Sequence, residues 1–475
     1  MDILTYAAGK KFTESKVAEV VISGGGTQGP KGEKGEPGRD GTIRYINVMD
    51  YATGNGTTDD ITALNLAHSA ALSVGKPLYF PRGTYRILSG FTTTVSIFAE
   101  VGAVLKCDTN GMDLVLVINA SNVTVDGLTF DGNSKANRGI RINQNCKHVA
   151  VRNNEIKFIT QTAGVQGQSV GIWANGGADH LLVEGNYVHH VSASYGTGIS
   201  RGILISKSTS TEPDTTDVLI NGNRIEEITS NTGVPDVFDS DGIVIQDIHV
   251  NTNDTYKSTR ANVRITNNYM YRCQKRGMKL QSPGCLATGN IIDMAKDVYS
   301  FSGVSIFAPD ITFSNNQIYI TSADANGIEI VAPVGMVVSN MIVSNNIIQI
   351  AAGNTSIDGI RVLNNVSSLS ITNNQITNGR YAIHFNVNSN GIVCSYNIIK
   401  RPNYAGIILD RITADTGVYP TNVSICGNMI DDGQTNGVEI KGGTKVAVVG
   451  NVGTVKWSMV EDTGVVGVVK LGNVT

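Results

Sequence analysis

The chain has 475 residues and a formal net charge of -3, with Lys and Arg (37) nearly balanced by Asp and Glu (40). That balance excludes a nucleic-acid binder, which needs a basic stripe. No apolar run reaches the 18 residues of a membrane span, and no apolar core at the amino end marks ordinary secretion. In chain order, residues 1–25 hold a short helix, about Thr5 to Val21, whose apolar spacing is too irregular for a coiled coil, then a break at Ser23–Gly26.

Residues 26–41 place glycine at every third position: Gly26, Gly29, Gly32, Gly35, Gly38 and Gly41. Only glycine fits at the axis of three wound chains, so the pattern predicts a collagen-like neck and a homotrimer. Lys31-Gly32-Glu33 and Lys34-Gly35-Glu36 set opposite charges where neighbouring chains pair. A flexible charged linker is the alternative, and six in-phase glycines argue against it. The neck is too short to hold three chains alone, so the segments around it must also associate.

Residues 42–100 form a head. Gly54-Asn55-Gly56-Thr57-Thr58-Asp59-Asp60 is a turn, Ile61 to Ser73 is helical with Ala63, Leu64 and Ala67 on one face, and Pro77 to Tyr85 returns as a strand. Asp59 is placed to cap the helix, and the helix to close the open end of a repetitive body.

Residues 101–455 are that body. Eleven asparagines (154, 186, 223, 268, 290, 316, 346, 374, 397, 428 and 451) recur at intervals of 22 to 45 residues, each preceded by Asn or Gly except at Tyr396. Small or apolar residues sit three and five places upstream, and an apolar residue two places downstream in all but one, Gly453. This is a strand, a sharp corner suited to positive φ, and a second strand. A second motif, Gly-apolar-x-apolar, interleaves with it, as at Gly202-Ile203-Leu204-Ile205 and Gly242-Ile243-Val244-Ile245, with Ala382 replacing glycine once. Three strands per turn predict a right-handed, single-stranded parallel β-helix of about 12–13 rungs, all-β apart from the amino-terminal helices. The asparagines would stack along one edge, each amide bonded to the next. A leucine-rich repeat is disfavoured because no Leu-x-x-Leu-x-Leu register is present. Cys285 and Cys394 fall on inward positions, and residues 456–475 cap the far end.

The head resembles the opening of the pectate-lyase-like superfamily, in which a Gly-Asp-Gly-Thr-Thr-Asp-Asp turn, a capping helix and a Phe-Pro-Pro-Gly-Thr-Tyr strand precede the β-helix. Gly127-Leu128-Thr129-Phe130-Asp131-Gly132-Asn133 is similar to that family's first rung. Asn55 stands where Asp is usual and Arg82 where the second Pro is usual. Joined to a collagen-like neck, the chain looks most like a bacteriophage tail spike or pre-neck appendage. That resemblance implies a homotrimer on the virion, attached to a tail or baseplate protein through its amino end. It implies binding, and usually cleavage, of a bacterial cell-surface polysaccharide.

The intervals between asparagines are widest from Asn154 to Asn268, so functional loops are expected there, in residues 157–170, 188–201, 206–217, 226–241 and 246–262. Asp239 and Asp241 lie two apart at the start of a strand and point the same way, as a glycoside-cleaving pair requires. Arg201, Arg276 and Lys279 on neighbouring rungs suit an anionic sugar, or proton removal beside a uronate carboxylate. Trp173, outward on the same region, suits sugar stacking or a trimer interface. A surface charge ladder is the competing account of Asp239 and Asp241. Asp239-Ser240-Asp241-Gly242-Ile243 faintly resembles a polygalacturonase strand, but that family's Asp-Asp pair and Gly-His-Gly are missing, so its mechanism is not carried over. Glu184, Glu329 and Glu439 read as solvated carboxylates. His189, His190 and His249 lack a third ligand, so no metal or other cofactor is expected; calcium would need Asp236, Asp239 and Asp241 together. A binding spike without cleavage and a structural strut are the alternatives to a depolymerase.

Overall fold

The computed structural model describes residues 44–161, 167–193, 198–207, 212–230, 239–246, 261–294, 301–321, 325–386, 388–410, 419–431, 436–454 and 465–473. The predicted helix of residues 1–25 and the collagen-like neck lie outside these residues, as do Asp236 and His249.

Every strand pairing is parallel and joins one turn of the chain to the next. The strands fall on three faces. The first holds the segments before each asparagine, such as Leu181–Glu184, Val218–Asn221 and Val263–Thr266. The second holds those just after it, Glu155–Gln161, Tyr187–Ala193, Arg224–Ser230 and Tyr269–Cys273. The third carries the glycine motif, in Gln168–Ala174, Ile199–Ser206, Ser240–Gln246, Arg276–Leu280, Ser302–Ile306 and onward. The first face is a 17-stranded sheet. It outruns the 12–13 rungs expected from the asparagines because strands of the head and of the carboxyl end join the same column.

Physical cause is clearest at the asparagine corner. Each side-chain oxygen accepts both the backbone N–H and the side-chain N–H of the preceding asparagine, from Asn186 through Asn451, at 2.9–3.1 Å throughout. The amide also donates to a carbonyl of the rung before, as Asn316 does to Ala287 at 3.1 Å. A buried corner thus strands no polar group. The ladder ends on a twelfth asparagine, Asn473, and begins where the Leu128 N–H donates to Asn154. The preceding residues all take positive φ, Tyr396 (57°) included.

Glycine of the third face has a different cause. A Cβ on Gly202 would lie 2.6 Å from the Gly242 carbonyl oxygen and 2.6 Å from Ile225 Cγ2, and Gly406 meets Gly437 and Ile430 in the same way. Backbones therefore approach closely in this column, and from Gly139 to Gly437 Ala382 alone among the described residues replaces glycine. Between the faces runs a continuous core of stacked β-branched residues, such as Ile140, Ile172, Ile203 and Ile243 in register. β-branched chains suit a pleated surface, and each fully buried isoleucine contributes about 1.5–3 kcal/mol.

At the head, the helix Ile61–Val74 buries Ile61, Leu64, Ala67 and Ala71 against the same core, with Ala63 partly buried. The Asp59 carboxylate accepts the Ile61 N–H at 3.2 Å, while Asp60 ties down the Thr53 and Gly54 amides. Gly75 ends the helix in a left-handed turn. Asn55 accepts the Thr57 and Thr58 amides at 2.9 Å, the turn role an aspartate would serve. All six cysteines are free thiols; Cys285 and Cys394 are buried.

Candidate functional site

Five of the six residues singled out from the sequence come together on the outer side of the third face. Register sets them there: Arg201 pairs with Asp241 and Asp241 with Arg276, while Lys279 lies one outward position further along. Asp239, just ahead of its strand, accepts from Lys279 Nζ at 2.6 Å and Arg276 Nη1 at 2.9 Å. Lys275 Nζ is 3.2 Å from the same carboxylate and Arg201 Nη2 3.8 Å. Arg276 Nη1 also reaches Asp241 at 3.2 Å, so one guanidinium nitrogen bridges both acids. The rest of that guanidinium is fixed by Ser305 at 3.0 Å and by the Phe301 ring, 4.9 Å away. Gln246 holds Arg201 at 2.5 Å.

The two carboxylates are driven apart in acidity. Burial alone would raise Asp239, but Lys279, Arg276 and Lys275 outweigh it and hold the group far below the usual carboxylate range. Asp241 is pushed up, by complete burial first and by the charge of Asp239 second, with Arg276, Lys279 and Arg201 opposing. Its second oxygen has no hydrogen-bond partner among the described residues. Lys279 is lowered by burial, against the pull of both acids. Opposed shifts within one cluster are what acid–base chemistry uses. Among the described residues four basic side chains surround two carboxylates, an excess of basic groups that suits an anionic ligand.

Exposure is unequal: the Asp239 side chain is 19% accessible and Lys279 11%, whereas Asp241 shows no surface. Lys275, Gln246, Ser305 and Phe301 are members that sequence reasoning missed. Lys275 was open to discovery as the residue beside Arg276, but strand alternation turns neighbours to opposite sides, and here a corner brings both to Asp239.

Trp173 stands apart and corrects the expectation of an exposed indole. It is 9% exposed, packed with Val170, Leu204 and Val244, and its N–H donates to Ser206 at 3.0 Å. Arg138 and Arg141 from the rung before lie over its ring at 5.1 and 4.9 Å. Those two long side chains cover what an outward strand position would otherwise expose.

Glu329 is also no solvated carboxylate. It is 2% exposed and raised by burial, 3.9 Å from Arg361. One rung on, the buried Asp358 binds Arg380 at 2.9 and 2.8 Å and His384 Nδ1 at 2.8 Å. His189 and His190 bond to each other, and no group of three or more His, Cys, Asp or Glu is placed to hold a metal ion among the described residues.

No protein-family model matches the chain, and no curated protein matches it in sequence. Solved structures do match it in shape. PfbA, a surface adhesin of Streptococcus pneumoniae, superimposes with a TM-score of 0.59 at 17% identity, over 79% of this chain and 94% of that one. This is a right-handed parallel β-helix. Gene product 12 of bacteriophage phi29, in its pre-mature form, gives 0.53 at 14% identity, over 90% of this chain and 56% of its own. A mutant tailspike of E. coli bacteriophage HK620, in complex with a hexasaccharide, gives 0.50 at 11% identity, over 90% and 78%. At such identities the likeness is one of fold. No helix among the described residues is long and apolar enough to cross a membrane.

Proposed function

We propose that this β-helix is a bacteriophage tail spike that binds an anionic bacterial surface polysaccharide and cleaves it beside a uronate unit by β-elimination. The observation that carries this reading is the cluster of Arg201, Lys275, Arg276 and Lys279 around Asp239, with Asp241 bridged behind it by Arg276. The arginines and Lys275 hold the uronate carboxylate and stabilise the charge that develops on it. Lys279, whose burial favours the uncharged amine, first gives its proton to solvent and then takes the proton from the carbon beside that carboxylate. The electron pair forms the ring double bond, the glycosidic C–O bond breaks, and the leaving oxygen takes a proton from water. Asp239 and Asp241 set the protonation of their basic neighbours. Hydrolysis fits less well, because Asp241 has no surface from which to reach a glycosidic oxygen.

The Gly-X-Y run of residues 26–41 supports a homotrimer whose amino end attaches to the phage tail. Exposed apolar residues flanking the asparagine corners, Ile342, Ile347, Val393 and Ile398, offer a face for the other two copies.

The test is incubation with uronate-containing capsular and exopolysaccharides, reading unsaturated chain ends by ultraviolet absorbance. Wild type should form them, and Lys279→Ala and Asp239→Asn should each lose about 100-fold or more in rate. Undiminished cleavage in both variants would remove the site. Complete burial of Asp241 favours one second reading, a receptor-binding spike without cleavage. Under it, wild type binds the polymer, Arg276→Ala does not, and no unsaturated ends form.

A further inference from the structure

A second feature of the same rungs lies on the second face. On four successive turns one residue there adopts left-handed backbone geometry: Phe158 (φ 52°), His190 (53°), Glu227 (54°) and Arg272 (51°). At the asparagine corners this region of φ is filled by Asn and Gly, with Tyr396 the exception. Side chains with a Cβ are disfavoured in it. Phenylalanine, histidine, glutamate and arginine are thus held at a conformational cost, and such strain concentrates at ligand sites. The geometry is that of a bulge, which re-aims side chains. Lys157 and Phe158 both lie outside the core between buried Ile156 and Ile159; on the next two turns His190 and Glu227 reach the surface while His189 and Glu226 beside them are covered. Further along, Ile291–Met294 and Gln317–Ile320 alternate regularly and carry no positive φ.

These bulges border a solvent-open cleft of about 220 Å³, lined by Ser134, Phe158, Thr160, His190, Ser192, Glu227 and Thr229. Thr160, Ser192 and Thr229 stand in register on consecutive rungs. Their backbones are spaced about 4.8 Å apart, and the hydroxyls of Thr160 and Ser192 bond each other at 3.0 Å. Also lining the cleft, the half-open Phe158 ring lies 5.2 Å from that of His190. Glu227 is neutralised by Arg272 at 2.8 Å.

Behind the wall a relay fixes the protons. His189 Nε2 is 3.1 Å from Glu155 Oε1, and His189 Nδ1 is 2.7 Å from His190 Nδ1. Burial lowers His189 and so favours its neutral ring; since a carboxylate only accepts, Nε2 of that ring donates and its Nδ1 accepts. His190 therefore donates from Nδ1, and its Nε2 takes no part in this relay. Glu155 stays ionised: burial would raise it, but His189 and Lys157 outweigh that.

We propose that this cleft binds an uncharged pyranose unit, its apolar face on Phe158, its hydroxyls on the Thr160–Ser192–Thr229 column and on Nε2 of His190. The inference takes its ligand class, a saccharide, from the function proposed above, and uses no residue of the charge cluster.

The experiment titrates the full chain with neutral hexasaccharides (maltohexaose, cellohexaose, and linear mannan and galactan hexamers) and, separately, with hexagalacturonate. Variants are Phe158→Asn and Thr229→Val, beside Lys279→Ala. Asparagine tolerates left-handed geometry, so Phe158→Asn should keep or raise the thermal midpoint while weakening the best neutral ligand at least tenfold. It should leave hexagalacturonate binding unchanged, and Lys279→Ala should do the reverse. Neutral binding that is absent in wild type, or unchanged in Phe158→Asn, overturns the inference. If hexagalacturonate still binds in that case, the uronate reading survives; if nothing binds, both fall.

Discussion

Removing one amide from the middle of the asparagine ladder should weaken the rod locally and measurably. Asn316 accepts the backbone and side-chain N–H groups of Asn290, both at 2.9 Å, and donates to Ala287 at 3.1 Å and Asn346 at 3.1 Å. In Asn316→Ala the side chain of Asn290 keeps Ile265 at 2.9 Å, but its backbone N–H loses its acceptor. A stranded buried donor costs about 1–3 kcal/mol and the three other lost hydrogen bonds about 1 kcal/mol each, giving about 4–6 kcal/mol for the substitution. That corresponds to roughly a 1,000- to 20,000-fold loss of hydrogen-exchange protection. Mass spectrometry of exchanged peptides covering residues 286–294 and 312–320 reads it, with rungs near Asn154 as internal reference. The neighbouring Asn315 is exposed, with φ 56°, so Asn315→Gly should change protection by less than about 0.5 kcal/mol equivalent. Equal effects of the two substitutions, or no change in Asn316→Ala, would show that the amides do not hold the corner.

Two further outcomes follow from the packing and the charges. Gly406→Ala forces a Cβ to 2.7 Å from both the Gly437 carbonyl oxygen and Ile430 Cγ2, and should cost about 1–3 kcal/mol in urea unfolding, while Ala382→Gly should cost less than about 1 kcal/mol. His384 would be lowered by its burial, but Asp358 and Asp410 raise it overall. A group raised on folding stabilises fully below its unfolded value near 6.5 and loses that contribution as pH climbs through the folded value. The thermal midpoint should therefore fall above pH 6.5, and His384→Gln should flatten that slope; an identical slope in both would exclude His384 as its source.

The three-strand turn was legible because it is written by two exacting positions, one that needs an amide and one that admits no Cβ. Asn473 escaped notice because Gly472-Asn473 lies too near the end of the sequence to show strands on both sides. Asp239, Asp241, Arg201, Arg276 and Lys279 were legible as neighbours because parallel register turns sequence offsets into contacts. Trp173 was misjudged because alternation tells which way a side chain points and not what lies over it. The bulged corner went unread, since Phe158, His190, Glu227 and Arg272 carry no left-handed preference. Its trace is a pair of residues outside the core between apolar ones, as in Ile156-Lys157-Phe158-Ile159 and Ile225-Glu226-Glu227-Ile228.

Successive ladder asparagines are separated by as few as 22 residues and as many as 45, yet their bonds keep one length. What the chain does between two corners is therefore decoupled from how the corners meet. Doubling an excursion costs only about 0.6 kcal/mol in closure entropy. A turn of this rod behaves as a cassette: its outer segment can be lengthened or exchanged for another, and a lineage can change what the surface grips while leaving the shaft untouched.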